Sequence, residues 1–301
     1  MNARSAVQTR PATATSQAQA SLSASVRTIG RYVLALVYVG FVLAPLLYML
    51  SVALHDAATA GAGPILPHPV HWQTFREMWS TIPLLTYIKN SLLIAICAGA
   101  IAAILGMGCG YVVGRFRFRF REPFRIALLA TYLTPGVLVL LPLYVIYVVI
   151  QRTLHVTLIG GYGIVIITYL TFALPFAIWM SSVYIASLPA ELEEAALVDG
   201  ATRLQALRYV VLPLALPGLV VAFIFSFLHA WNDVLFASVL TSPATRTLAV
   251  GLQYYAAQNY AFPLWNQLMG ASLVSAIPAV VLFFFVQRYI VQGLAAGSLK
   301  G

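Results

Sequence analysis

The sequence predicts an all-α polytopic membrane protein with six transmembrane helices. Its composition is the first reason, because 61% of its 301 residues are hydrophobic, only 8% are charged, and the mean hydropathy is +0.90. Soluble globular domains carry about 25% charged residues. The second reason is the distribution of the charges, which leaves six long apolar segments. We therefore attribute the net charge of +9 to membrane topology and not to binding of nucleic acid.

Each apolar segment provides the roughly 20 residues that a helix needs to cross a bilayer. We predict spans near residues 30–54, 88–114, 126–150, 162–186, 209–230 and 267–288. Residues 1–28 precede them and are rich in Ala, Ser, Thr and Gln. Such a segment buries too little apolar surface to order itself. We expect a disordered cytoplasmic tail over 1–28 and a membrane domain over 29–301.

The basic residues predict the orientation of the spans. Loops on the cytoplasmic side of a membrane protein are enriched in Lys and Arg. With the N-terminus inside, thirteen basic residues fall on the inner side and four on the outer side, so both termini are predicted to be cytoplasmic. The inner residues are Arg4, Arg10, Arg27, Arg31, Arg115, Arg117, Arg119, Arg121, Arg125, Arg203, Arg208, Arg288 and Lys300, and the outer ones are Arg76, Lys89, Arg152 and Arg246.

The most polar interruption of this apolar sequence lies between the fourth and fifth spans, at residues 188–213. Pro189 suits the first turn of a helix. Leu192, Ala195 and Ala196 then follow with helical spacing and form a narrow apolar face. Gly200 can adopt the left-handed conformation that ends a helix. The segment 189–199 is therefore predicted to be a short helix that ends at a glycine.

A second helix is predicted directly after that glycine. Thr202 and Gln205 have the spacing of a capping box, in which each side chain bonds the backbone N–H of the other. Pro213 is predicted to kink or stop this helix, because proline lacks a backbone N–H. Glu191 and Glu194 lie three positions apart, on one stripe of the first helix, where they can engage basic residues of a partner.

The same segment carries a family resemblance. Glu194-Ala195-Ala196, Gly200 and Leu212-Pro213 match the pattern E-A-A-x3-G-x9-I-x-L-P, in which Val210 replaces isoleucine. This pattern resembles the cytoplasmic loop of binding-protein-dependent ABC importer permeases. The resemblance implies a type I ABC importer permease fold with its core at about 87–288 and a coupling helix in loop 188–213 that docks on an ATPase. The implied ATPase-coupling residues are Glu191, Glu194, Ala195, Ala196, Gly200, Leu212 and Pro213.

A second resemblance narrows the class. Trp231, Asn232 and Asp233 resemble the W-N-[DE] segment of carbohydrate-type permeases, and they are a possible part of the substrate path. The C-terminal residues 287–301 look like the end of the MalG-like subunit of maltose-type importers. The implied partners are a MalF-like permease, two ABC ATPase subunits, an extracytoplasmic solute-binding protein and membrane lipids.

The sequence contains no nucleotide-binding motif that would let the chain hydrolyse ATP itself. Its lysines are Lys89 and Lys300, and neither lies in the phosphate-binding motif G-x-x-x-x-G-K-[ST]. We therefore expect no enzymatic activity, no cofactor and no metal site in this chain, with ATP and Mg²⁺ bound by partner subunits. The centres of the spans also lack the charged residues that ion-coupled carriers use.

Two packing features are predicted within the spans. A small residue recurs at every fourth position of the second span, which favours close packing of helices. Prolines interrupt most spans, and we predict real breaks at residues 134–136 and 217–218. The small residues are Ala98, Ala102, Gly106, Gly110 and Gly114.

The predicted function is alternating-access import of a sugar, such as a maltose- or trehalose-like disaccharide, with the first loop helix acting as a lever on the fourth and fifth spans. Two alternatives stay open at this point. The same architecture could move a polyol, glycerol phosphate or an amino acid. A secondary carrier without nucleotide coupling is the other class. The predicted location is the bacterial cytoplasmic (inner) membrane.

Overall fold

A computed structural model describes residues 14–61, 64–258 and 264–298. Within them the chain folds into twelve α-helices and one π-helical turn at Leu207–Val211. Residues 1–13 of the predicted tail 1–28 lie outside the described residues. Helix α1 begins within the predicted tail, at Ala14. The helices are α1 (Ala14–Ala53), α2 (Thr74–Thr81), α3 (Leu84–Arg115), α4 (Arg121–Leu133), α5 (Gly136–Leu154), α6 (Tyr162–Ser187), α7 (Glu191–Val198), α8 (Arg203–Ala206), α9 (Leu212–Asn232), α10 (Leu235–Leu240), α11 (Leu248–Gln258) and α12 (Trp265–Ser298).

Six helical segments of the described chain are long and apolar enough to span a membrane, which confirms the predicted number. They agree closely with the predicted positions except for the third, which begins ten residues later than predicted. The segments are Arg27–Ala53, Leu84–Arg115, Gly136–Leu154, Tyr162–Ser187, Arg203–Asn232 and Trp265–Gln287.

The late start of the third span follows from a helix break. Helix α4 ends at Leu133, Thr134 and Pro135 are extended, and α5 begins at Gly136. The ring of Pro135 disfavours helical geometry at the residue before it. The break predicted at residues 134–136 is therefore confirmed.

The second predicted break, at residues 217–218, is wrong. Helix α9 continues through Pro217 to Asn232. Gly218 serves packing instead, because a β-carbon at this position would lie 2.7 Å from the Tyr184 ring of α6. The glycine thus lets α9 approach α6 closely without ending the helix.

Helices α3, α6 and α9 pack together as the centre of the bundle. The stripe of small residues on α3 is packed inside the bundle, as predicted: Ala98 and Ala102 are fully buried. A β-carbon on Gly106 would lie 2.6 Å from the Ala177 Cβ. Small side chains allow such close contact between helix backbones.

The bundle has two ends, and α3 connects them. We call the end formed by residues 115–125 and 188–213 the loop end, and the end formed by residues 54–61, 64–84, 154–162, 232–258 and 264–265 the far end. At the far end, the side chain of Asn90 donates to the carbonyl oxygens of Ala244 and Arg246 at 3.0 and 2.9 Å. At the loop end, α3 finishes at Arg115, beside the start of α7.

Candidate functional site

The loop 188–213 adopts the predicted pair of helices joined at a glycine. Helix α7 ends at Val198, and Gly200 follows with a φ of +90°, in the left-handed region. Thr202 and Gln205 form the complete capping box at the start of α8. The Gln205 side chain accepts from the backbone N–H of Thr202 at 2.7 Å.

The two prolines of the loop have different outcomes. Pro189 lies before α7, which begins at Glu191, and not in the first turn as predicted. Pro213 does not stop the second helix, because the π turn at Leu207–Val211 precedes it and Leu212 N–H donates to the carbonyl of Leu207. The wider turn relieves the clash that a proline ring makes with the carbonyl four residues earlier. Helix α8 therefore continues through the π turn into the fifth span.

Most of the predicted coupling residues are exposed at the loop end. Glu191, Glu194, Ala195, Gly200 and Pro213 are exposed, and Ala196 and Leu212 are half-buried. Exposed apolar side chains occur on α7 and α8 together with the two carboxylates, and we call the group the loop surface. It consists of Glu191, Leu192, Glu194, Val198 and Leu204, of which Val198 and Leu204 are 87% and 74% exposed.

The apolar face of α7, formed by Leu192, Ala195 and Ala196, is not the most buried face of the helix. Leu192 and Ala195 are exposed, whereas Ala196 and Leu197 are half-buried and Glu193 is buried. Glu193 Oε2 lies 3.1 Å from Arg115 Nε, and the Tyr111 hydroxyl donates to Glu193 Oε1. Sequence reasoning missed this acid, which shares a helical face with positions 196 and 197.

A cavity of about 440 Å³ lies between the third, fourth and fifth spans. Five aromatic side chains contribute to its wall, together with four polar side chains. This combination is typical of small-molecule sites, where apolar walls carry a few placed polar groups. The aromatic residues are Tyr132, Phe172, Phe176, Phe225 and Phe236, and the polar ones are Thr134, Ser226, His229 and Asp233.

The structure separates the three residues that the sequence assigned to a substrate path. Trp231 is buried and stacks on Phe227, with ring centroids 5.7 Å apart. Asn232 is exposed and donates to the carbonyl of Leu228 at 2.9 Å. Of the three, Asp233 lies on the cavity wall.

Asp233 also has a local structural role. Its Oδ2 accepts from the Tyr169 hydroxyl at 2.9 Å and from the backbone N–H groups of Phe236 and Ala237 at 3.1 and 3.0 Å. It therefore caps the start of α10 and ties it to α6. Among the described residues, no three His, Cys, Asp or Glu side chains are grouped to hold a metal ion.

Comparison with known proteins identifies relatives that are permease components of transport systems. The family model "Binding-protein-dependent transport system inner membrane component" matches residues 102–296. The chain is 37% identical to the inner membrane ABC transporter permease protein YcjP of Escherichia coli K12, over 73% of this chain and 76% of that protein. It is 33% identical to the maltose/maltodextrin transport system permease protein MalG of Yersinia pestis, over 93% and 95% of the two chains.

A further relative and one solved structure extend the comparison. The trehalose transport system permease protein SugB of Mycobacterium tuberculosis is 33% identical over 87% of this chain and 94% of that protein. A chain from the crystal structure of a bacterial ABC transporter involved in import of the acidic polysaccharide alginate matches with a TM-score of 0.71. The match covers 89% of this chain and 97% of the other at 22% identity, so it supports the fold alone.

Proposed function

The chain belongs to the family of binding-protein-dependent transport system inner membrane components, and on this premise we propose that it forms part of an ATP-driven importer that brings a sugar into the cytoplasm. The substrate class rests on its relatives, which include transporters named for maltose, maltodextrin and trehalose. Its partners are a second, MalF-like permease, two ATPase subunits that bind ATP and Mg²⁺, and an extracytoplasmic solute-binding protein.

The loop surface is the observation that carries this proposal. It combines exposed Leu192, Val198 and Leu204 with the exposed carboxylates of Glu191 and Glu194 on two consecutive short helices. Exposed apolar side chains accompanied by charges are the composition of a protein interface. The carboxylates fit a partner with basic groups, which they would orient more than they would strengthen the complex. We assign the loop surface to ATPase docking, with the loop and both termini on the cytoplasmic side.

The helices that follow the loop connect the docking surface to the cavity. Because α8 continues through the π turn into α9, a displacement of the docked loop moves the fifth span. The fifth span contributes Phe225, Ser226 and His229 to the cavity wall. ATP-driven closure of the partner ATPases would therefore open and close the cavity between this subunit and the second permease.

The cavity fits a sugar in its chemistry. The rings of Phe172, Phe176 and Phe225 offer apolar faces, and His229 and Asp233 offer groups that can hydrogen-bond to hydroxyls. We propose that these residues contact the sugar as it passes.

Reconstitution in proteoliposomes tests the proposal. The complete complex is supplied with ATP inside and with solute-binding protein and radiolabelled disaccharide outside. Sugar uptake that requires both ATP and the binding protein is expected. Uptake that proceeds without ATP on an ion gradient would show a secondary carrier instead.

A further inference from the structure

Helix α7 is fixed to the bundle by an acid. Glu193 is its one buried residue in the described structure, while Glu191, Leu192 and Glu194 around it are exposed. A short helix at the edge of a membrane protein would ordinarily be held by an apolar side chain. The position of Glu193 therefore calls for a specific partner on the bundle.

That partner is the last turn of the second span. Glu193 Oε2 lies 3.1 Å from Arg115 Nε, and the side chains are 9% and 13% exposed. The other carboxylate oxygen accepts from the Tyr111 hydroxyl, one turn earlier on α3. One oxygen of the buried acid is thus ion-paired and the other hydrogen-bonded, which offsets the cost of burying the charge.

Arg115 also holds the backbone that leads into α7. Its Nη1 donates to the carbonyl oxygen of Leu188 at 3.0 Å, and its Nη2 to that of Pro189 at 3.4 Å. One guanidinium therefore binds the end of α6, the entry to α7 and the acid of α7. We call Tyr111, Arg115 and Glu193 the Arg115–Glu193 joint.

The same end of α3 contacts the second loop helix. The guanidinium of Arg203, the first residue of α8, lies over the ring of Phe116 at 5.3 Å from its centroid. Phe116 in turn packs edge-on against Tyr111, with ring centroids 5.7 Å apart. The end of α3 therefore contacts the loop on both sides of Gly200.

From these contacts we infer that the Arg115–Glu193 joint makes α3 and α7 move as one body, so that the coupling loop drives the second span as well as the fifth. Opening the joint would leave a buried charge without its partner, which is costly, so the joint stays closed while the loop moves. Arg115 and Glu193 act as positioning residues. The inference rests on the proposed function, because it concerns how motion of the docked loop reaches the membrane.

The close contact of α3 with α6 carries the displacement further. Gly110 and Gly114 of α3 lie against Ser181 and Ser182 of α6, with no room for a β-carbon at either glycine. Tightly packed helices transmit a shift and do not absorb it. Helix α6 contributes Phe172 and Phe176 to the cavity, so the joint connects the loop to a second wall of the cavity.

The first test separates positioning from docking. Glu193→Gln removes the charge but keeps the shape of the side chain, and Arg115→Met removes the guanidinium. In the reconstituted complex, both variants should retain the ATPase subunits, because the loop surface is unchanged, but sugar transported per ATP hydrolysed should fall at least fivefold. The matched control is the surface pair Glu122 and Arg125, whose side chains are 66% and 33% exposed and whose Oε1 and Nη1 atoms lie 3.2 Å apart at the same end. Glu122→Gln and Arg125→Met should transport as the wild type does.

The second test measures the motion directly. A spin label on Asp199→Cys, an exposed residue at the end of α7 and outside the loop surface, is paired with one on the exposed native Cys109, in a Cys97→Ala background. The distance between α3 and α7 should stay the same in the nucleotide-free and ATP-trapped complexes. In Arg115→Met/Glu193→Met, which leaves no unpaired charge at the joint, the distance should change between the two states.

The outcomes distinguish the two proposals. A wild-type complex without ATP-dependent uptake contradicts the proposed function itself. A wild-type complex that transports, with Glu193→Gln and Arg115→Met equally coupled, overturns the joint alone. Loss of the ATPase subunits from Glu193→Gln, or a wild-type label distance that changes between states, also overturns the joint.

Discussion

Gly110 of α3 and Ser181 of α6 lie so close that a β-carbon on the glycine would be 2.5 Å from the Ser181 Cβ. This contact lies where α3 and α6 pack closely, because small residues let two helix backbones meet. It leads to a prediction about stability that depends on the fold alone.

Gly110→Ala should lower stability by about 1–3 kcal/mol, the usual cost of overpacking a well-packed site. Gly108, two residues away on α3, faces open space, and a β-carbon there would meet no atom of another helix within 4 Å. Gly108→Ala is therefore the matched control and should unfold at the wild-type temperature or above. Thermal unfolding of the purified protein in detergent measures both. Equal melting temperatures for the two variants would show that the α3–α6 contact is looser than described.

Gly200→Val should detach the ATPase subunits from the complex. Gly200 has a φ of +90°, and a left-handed conformation costs a residue with a β-carbon about 1–2 kcal/mol. The loop would then turn differently after α7 and misplace the loop surface. Co-purification of the ATPase subunits through a tag on this chain is the measurement.

Gly61 provides the control for backbone strain at Gly200. It has a similar φ of +86° but lies at the far end, away from the loop surface. Gly61→Val should leave co-purification of the ATPase unchanged. Similar losses in both variants would mean that strain, and not the placement of the loop, causes the effect.

The exposed carboxylates of the loop surface should give ATPase binding its dependence on salt. In Glu191→Gln/Glu194→Gln, association should be slower than in the wild type, and raising the ionic strength should slow it less, because charges at the border of an interface act mainly on encounter. Association rates measured at several salt concentrations test this. Glu77→Gln, an exposed acid at the far end, is the control. An unchanged salt dependence in the double variant would exclude these acids from the interface.

Phe225→Ala should weaken transport through the cavity. The Phe225 ring lines the cavity and is 53% exposed in this subunit. We expect the KM for sugar uptake to rise about tenfold, equivalent to about 1.4 kcal/mol. Phe285→Ala on α12, where the ring is 69% exposed and does not line this cavity, is the control. A KM that rises equally in both variants would argue against a sugar contact at Phe225.

Local patterns in the sequence predicted much of this architecture. The apolar segments predicted six spans, the glycine pattern predicted the left-handed turn at Gly200, and the spacing of Thr202 and Gln205 predicted the capping box. Each of these depends on residues within a few positions of one another. The close packing predicted for the small residues of α3 was also confirmed, because small residues spaced four apart in a membrane helix mainly serve close contact with another helix.

The helix geometry at Pro213 and Pro217 and the contacts between distant residues were not predicted. Pro213 fits a continuous helix because of the π turn before it, and Pro217 lies within an unbroken helix. The burial of Glu193 depends on Arg115, which lies 78 positions earlier in the chain. From the sequence alone, Arg115 could be counted only among the basic residues that set the membrane topology. The aromatic wall of the cavity likewise combines residues of α4, α6, α9 and α10, so no single stretch of sequence identified it.

Site-specific photo-crosslinking at position 194 tests the central claim most directly, because Glu194 lies in the middle of the loop surface. A photoreactive residue there, in the intact complex in native membranes, should form an adduct with the ATPase subunit, whereas the same residue at position 77 should not. Crosslinking of position 194 to the solute-binding protein or to lipid alone would contradict the account.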